Sequence, residues 1–352
     1  MSEKHPLRDI LVIAPNFKRR LSGVTSTIVQ LVPEQAKSLG ILAAGPGLPA
    51  HLPKLRLRDV PKLWQRPANK PFRIWHARRN VEMLPGIVLR DVLRMPLRLV
   101  FTSASQRRHT AYTRWLIGRM DAVIATSTRG GAYLDVPHTV VTHGIDLGRF
   151  HPSADRAASR QALDLDPNMR AVGCFGRVRH QKGTDLFVDA MIALLPRHPG
   201  WQALIAGRAT AEHAGFEREL RGRITAAGLE DRIRFVGEHR DIERWYRALD
   251  LFVAPQRWEG FGLTPLEAMA SGVPAVAADV GVFPDVVTAE TGTLVPRGDL
   301  DALKAAIEPY LGDDDRRAAM ATAAAQKARQ DFPLAREAAE INAVYARLWA
   351  RG

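Results

Sequence analysis

Short apolar runs alternate with longer segments of helical period along this chain of 352 residues. The strand-like runs are ILVIAP, RLVFT, DAVIAT and HTVVTHG in the first half, and AVGCFGR, QALIAGR, IRFVGE, LDLFVAP and VPAVAAD in the second. Several end in Gly, Pro or Thr. Between them lie helical segments such as DLFVDAMIALL, AGFERELRGRITAAG, DIERWYRAL and TPLEAMASG. This alternation predicts an α/β fold with parallel sheets covered on both faces. Two such series predict two doubly wound domains, residues 1–150 and 151–333, with the turn-rich stretch GIDLGRFHPSADR between them as a hinge. A last helix over about 334–352 is apolar at Ala339, Ile341, Val344, Tyr345 and Leu348. It is a candidate to pack back on the first domain, although spacing alone leaves its partner open. The stretch from 49 to 100, rich in Pro, Arg and Trp, yields no clear strands.

Composition sharpens this outline. An apolar fraction of 46% suffices for substantial cores. The single cysteine, Cys174, excludes an internal disulfide and reads as a buried strand residue with no activating base beside it. The first segment has no signal-peptide pattern, and no run is long enough for an uncharged membrane-spanning helix. A cytoplasmic protein is expected, with any membrane contact peripheral. The charge of +13 is one-sided: residues 1–150 hold 24 Lys and Arg against 9 Asp and Glu, and residues 151–352 hold 26 against 28. A field confined to the first half suits an anionic partner, whether nucleic acid, acidic headgroups or an acidic substrate, and it also serves solubility.

Two motifs carry candidate chemistry. In the first, Gly176 to Gly183 (GRVRHQKG) follows a strand and precedes a helix. Its glycines permit a tight loop, the helix start offers unpaired N–H groups, and Arg177 and Lys182 can converge on one anion, which suits a diphosphate. The plain alternative is a polar turn with solvated cations. In the second, EGFGLTPLEA follows LDLFVAP and runs from Glu259 through Gly260, Phe261, Gly262 and Leu263 to Glu267. Thr264 is expected as the N-cap of the following helix, with Pro265 in its first turn. The Gly-Phe-Gly turn makes a second anion cradle. Its two carboxylates suit sugar or ribose hydroxyls, unless Glu267 only complements the helix dipole.

Together these motifs resemble the family 4 retaining glycosyltransferases of the GT-B fold. The likeness continues through AMASGVPAVAADVGVFPDVV and GTLVPRGD, so that it covers residues 141–352. HGID at 143–146 stands where the family has N-G-I-D. The resemblance implies two Rossmann-like doubly wound domains facing across a cleft, the first binding the acceptor and the second the nucleotide-sugar donor. It implies that Arg177 and Lys182 bind the diphosphate and stabilise the leaving group, and that Glu259 contacts the donor sugar. It further implies that Glu267 holds the ribose while Gly176 and the 260–263 backbone line the donor site. Gly23 stands near the family's N-terminal glycine loop, with Ser22 where a second Gly is common. Same-face transfer, in which the leaving phosphate takes the acceptor proton, is implied without metal or other cofactor, and no metal-ligand spacing is visible. The hinge is expected near Gly144.

The acceptor side is thinner. Ser103 stands where many family members carry a histidine, with His76 and His109 as alternatives. Arg78, Arg79, Arg107 and Arg108 follow strand-like runs and, with Lys18, Arg19 and Arg20, form a candidate basic acceptor site or membrane-facing patch. TSASQRRHT and AGRATAEHAGFERELR resemble lipopolysaccharide core mannosyltransferases. That implies GDP-mannose as donor and an anionic, lipid-linked, Kdo-containing acceptor at the cytoplasmic face of the inner membrane. A UDP-sugar donor remains the alternative. An epimerase or phosphorylase fits the motifs poorly. A non-catalytic binder of anionic ligands or nucleic acid lacks any visible aromatic platform or recognition helix.

Overall fold

The structure is a computed structural model describing residues 6–18 and 23–351. Its strands, in chain order, are β1 (Val12–Pro15), β2 (Ile41–Ala44), β3 (Arg73–Ala77), β4 (Leu97–Ser103), β5 (Ala122–Ala125), β6 (Thr139–Val140), β7 (Arg170–Phe175), β8 (Trp201–Ala206), β9 (Ile233–Gly237), β10 (Leu251–Ala254), β11 (Ala275–Ala278) and β12 (Gly292–Val295). They form two six-stranded sheets, ordered β2-β1-β3-β4-β5-β6 and β12-β11-β10-β7-β8-β9. All the pairings between these strands are parallel.

Strand periodicity explains the layers. On β7, Ala171 and Phe175 enter one buried cluster while Val172 and Cys174 enter the other, so both faces are covered. On β1, Val12 and Ala14 face one cluster and Ile13 the other. Burial pushes the Cys174 thiol up to about 12, which keeps it protonated and unreactive.

The chain divides into two compact units, one of residues 1–144 with 334–352 and the other of residues 145–333. The division thus falls at Gly144–Ile145 rather than at 150. Gly144 N–H donates to Glu337 Oε2 of the last helix at 2.8 Å, within the first unit. Ile145 N–H donates to the Phe332 carbonyl at 2.8 Å, within the second. The last helix, Leu334–Ala350, belongs to the first unit. Its buried positions are Leu334, Glu337, Ala338, Ile341, Val344 and Tyr345, so Ala338 replaces the expected Ala339, which is exposed. Gln35 on the helix Gly23–Gln35 donates to Asn342 at 2.7 Å. Among the described residues no helix is long and apolar enough to cross a membrane.

Candidate active site

In each sheet the chain runs outward in one direction, then returns to the other side of its first strand. Where that reversal falls, loops leaving adjacent strands diverge and open a crevice at the carboxyl ends. In the second unit the reversal lies between β7 and β10. Both motifs leave from there, GRVRHQKG directly after β7 and EGFGL five residues after β10.

The two loops are joined. Lys182 Nζ and Glu259 Oε2 form an ion pair, with both side chains mostly buried. The other Glu259 oxygen accepts from the Gly260 N–H at 3.0 Å. Gly183 has φ +69°, and a Cβ there would lie 2.0 Å from the Pro255 carbonyl oxygen just after β10. Only glycine allows both that backbone region and that approach. Gly183 also begins the helix Thr184–Leu194, whose first turn carries no side-chain cap, leaving N–H groups at the loop. Gly262, at φ +79°, packs against the Glu259 side chain and the Phe283 ring.

A residue that sequence reasoning missed clamps this arrangement. The Arg257 N–H donates to the Gln181 carbonyl at 3.0 Å. Its guanidinium donates to the His180 carbonyl at 2.7 Å and to both oxygens of Asp185 at 2.7 and 2.8 Å. Burial would raise the Asp185 carboxyl, but the Arg257 hydrogen bond and charge, helped by His180, hold it below its ordinary value. No local signal marks this pair, because its members are 72 residues apart in the chain.

Gly176 is exposed and Arg177 half-buried on the same turn after β7. Phe261 is buried, and Leu263 occupies the cap position of the helix Thr264–Ala270. Thr264 is therefore the first helical residue and not the N-cap; its hydroxyl accepts from Gln256 Nε2 at 3.5 Å. Glu267 has a different partner from Glu259. Tyr246, fully buried on the helix Ile242–Arg247, donates its hydroxyl to Glu267 Oε2 at 2.8 Å. Burial raises the Glu267 carboxyl above its usual value, although Tyr246 and Arg149 pull the other way. In the sequence Tyr246 stands within the helical segment DIERWYRAL, with nothing local to mark it as a partner of Glu267.

In the first unit the reversal lies between β1 and β3. Arg79 follows β3 and donates to Asn16 Oδ1 (2.8 Å), Glu82 Oε1 (2.7 Å) and Thr25 Oγ1 (3.0 Å). Arg78 is nearly buried; its N–H donates to Glu82 Oε2 at 2.8 Å, and its guanidinium reaches the His76 carbonyl at 3.4 Å. Burial, with Arg78 adding to it, holds the His76 imidazole well below its ordinary range. The ring sits between Tyr345 Oη (2.5 Å) and Thr102 Oγ1 (2.6 Å), so its contacts are those of a core residue. Ser103 is buried at the end of β4, while Arg107 and Arg108 are exposed in the loop beyond it. His109 is half-buried and its Nε2 has no hydrogen-bond partner. Gly23 opens the helix Gly23–Gln35 with open space where a Cβ would project. Arg19, Arg20 and Ser22 lie outside the described residues. Among the described residues no group of three or more His, Cys, Asp or Glu could hold a metal ion.

Residues 155–327 match the family model described as Glycosyl transferases group 1. The chain is 61% identical over 344 residues to the lipopolysaccharide core biosynthesis mannosyltransferase LpsB of Rhizobium meliloti (strain 1021), covering 96% of this chain and 98% of the relative. It is 58% identical over 342 residues to the lipopolysaccharide core biosynthesis mannosyltransferase LpcC of Rhizobium leguminosarum bv. viciae, covering 96% and 97%. Among solved structures, Anabaena Alr3699/HepE in complex with UDP superposes with a TM-score of 0.81 at 22% identity, covering 96% of this chain and 100% of that one, a likeness of fold.

Proposed function

Because the chain belongs to the group 1 glycosyl transferases, and is a glycosyltransferase of the GT-B fold with two Rossmann-like domains, we propose that it transfers mannose from GDP-mannose to a Kdo-containing inner-core acceptor of lipopolysaccharide, with retention and without a metal ion. The observation that carries this reading is the Lys182–Glu259 pair, which joins two glycine-rich loops at the β7/β10 reversal. The names borne by the two relatives over nearly the full chain support the sugar and the pathway.

In this reading the donor diphosphate lies against Arg177, Lys182 and the uncapped start of the helix Thr184–Leu194. Lys182 exchanges Glu259 for phosphate, and the released carboxylate accepts hydrogen bonds from the sugar hydroxyls. Backbone N–H groups at Phe261, Gly262 and Leu263 line the diphosphate and sugar, with Gly176 and Gly260 giving close approach. Glu267, oriented by Tyr246 through one oxygen, accepts from the ribose through the other. The acceptor hydroxyl oxygen then bonds to the anomeric carbon on the face from which the diphosphate leaves. The C–O bond to phosphate breaks, and the acceptor proton passes to the departing phosphate oxygen. Arg177 and Lys182 stabilise the charge that develops there. The acceptor's anionic groups meet Arg107 and Arg108, exposed in the loop after β4, whereas Arg78 and Ser103 are buried and Arg79 is held by Asn16, Thr25 and Glu82, so these three serve the fold instead. The enzyme works at the cytoplasmic face of the inner membrane, in peripheral contact through its basic N-terminal half.

A donor panel tests this reading. Purified enzyme with chelator is given a deacylated Kdo-bearing acceptor and GDP-mannose or UDP-sugars in parallel. Transfer from GDP-mannose with retained anomeric configuration is expected. Transfer from a UDP-sugar alone would replace the donor assignment, and abolition by chelator would remove the metal-free mechanism.

A further inference from the structure

The helix Asn80–Ile87 continues directly as a wider π-helical turn, Val88–Val92. One face of it is core: Met83 and Ile87 are buried, and a Cβ on Gly86 would lie 2.7 Å from the Trp75 ring. The opposite face is apolar too. Val81, Leu84, Val88 and Val92 recur at helical spacing, and each is at least 40% exposed. A helix on a globular protein has no packing reason for a second apolar stripe.

The stripe widens into an aromatic edge. Asn80 donates to Thr113 at 2.7 Å, which ties the start of this helix to the helix Ala111–Ile117. On that helix Tyr112 and Trp115 are exposed and stacked, with centroids 6.3 Å apart, and Arg119 lies over the Trp115 ring. At the far end Trp64, also exposed, donates its indole N–H to the Leu93 carbonyl at 2.7 Å.

Charge decides what meets this surface. Residues 54–119 hold 16 Lys and Arg against 3 Asp and Glu, a surplus equal to that of the whole chain, and of these cations Arg73 and Arg78 are buried and do not add to the surface. The three acids already have cationic partners: Asp59 pairs with Lys62, Glu82 with Arg79 and Asp91 with Arg90. Exposed Arg94, Arg114 and Arg119 flank the stripe. Self-association through this face would set like charges against each other across a two-fold interface. Aliphatic side chains on a helix surface, with Trp and Tyr at the margin and arginines around them, instead match the layering of a bilayer interface with anionic headgroups.

We infer that the face formed by Val81–Val92 and Tyr112–Trp115 is the membrane-docking surface of this protein, inserting its aliphatic stripe shallowly into a bilayer of anionic lipid. This deepens the peripheral contact proposed above, but depends on neither donor nor acceptor chemistry. The test is flotation of the full chain with vesicles of equimolar phosphatidylglycerol and phosphatidylethanolamine, and with vesicles of phosphatidylcholine. The parent protein should float with the anionic vesicles and remain behind with the neutral ones. The pair Val88→Glu and Val92→Glu, and separately Trp115→Ser, should lower the anionic-vesicle-bound fraction by about tenfold or more, with melting temperature and transfer to deacylated acceptor unchanged. Parent-like flotation of both variants would overturn the inference, as would equal binding to neutral vesicles. A parent dimer that the substitutions split would make the stripe a subunit interface and overturn it too. Normal flotation with no transfer from any donor would leave the docking surface standing and remove the catalytic reading instead.

Discussion

At the β1/β3 reversal of the first unit, Asn16, Thr25, Arg79 and Glu82 hydrogen-bond to one another, and the loop chemistry is consumed within the protein. At the β7/β10 reversal of the second, a cation and a carboxylate meet across two loops whose glycines keep backbone close and whose following helix starts without a side-chain cap. The same topology creates a crevice in both places. Where the polar groups saturate one another they stabilise the fold, with little left over for a ligand. Where helix N–H groups lack side-chain caps and an ion pair bridges two loops, polar groups are left over, and in the proposed function they meet an anion.

Four substitutions sharpen this contrast, from the largest effect to the smallest. Lys182→Ala is expected to lower turnover about 10²–10³-fold while leaving the melting temperature near that of the parent, measured by steady-state transfer beside calorimetry. Near-normal turnover in a purified, folded variant would remove the site assignment. Glu82→Ala should do the reverse. It uncovers the Arg79 charge and the Arg78 N–H in a buried place, so a denaturant titration should show a loss of about 3 kcal/mol, with GDP-mannose affinity of the folded fraction unchanged. A variant as stable as the parent would mean that the first cluster is not structural.

Arg257→Ala is expected between these extremes, since the residue orients both loops without a place on the donor. It should cost about 1–2 kcal/mol of stability and lower turnover more than it raises KM. In the parent, Asp185 sits below its ordinary value, so the Arg257 pair contributes stability above the unfolded carboxylate range and loses it as pH falls through the folded value. The variant's stability–pH curve should be flatter there, and an unaltered slope would deny the clamp. The smallest effect is expected from Glu267→Gln. A carboxyl raised by burial penalises the folded state at neutral pH, and the penalty disappears as pH drops through the folded value. The amide should therefore stabilise the apoprotein by about 1 kcal/mol at neutral pH, less in acid, while weakening nucleotide binding. A pH-independent difference would contradict the assigned cause.

Much of the second unit was legible in the sequence. Its expected strands at β7 to β11 and the helices between them stand in the structure where the apolar runs and periods put them. The joined loops were marked by glycines and charges at fixed spacing. Elsewhere the local pattern failed for physical reasons. β3 carries Arg73 in its core, which argues against a buried strand until its four acceptors are seen: the carbonyls of Leu7, Ile10, Leu63 and Gln65. β12 is a four-residue strand with only its ends buried, too weak a pattern to stand out. The Asn16–Arg79–Glu82 cluster draws on segments some sixty residues apart and has no signature in either.

The chain's order of residues determined on its own the α/β class, the two windings, the one-sided charge and the two glycine-rich loops that follow β7 and β10. Each of these follows from period, glycine placement or charge count, which are local properties that hold wherever the segment ends up. Only the tertiary structure decided that Lys182 meets Glu259, that Arg257 clamps both loops, that Tyr246 rather than a cation holds Glu267, and that a helix of the first unit leaves its second apolar face uncovered. Those outcomes depend on which strands become neighbours. A side chain's partner across a sheet or a loop is set by that register and by the water it excludes, and neither is written in the residues nearby.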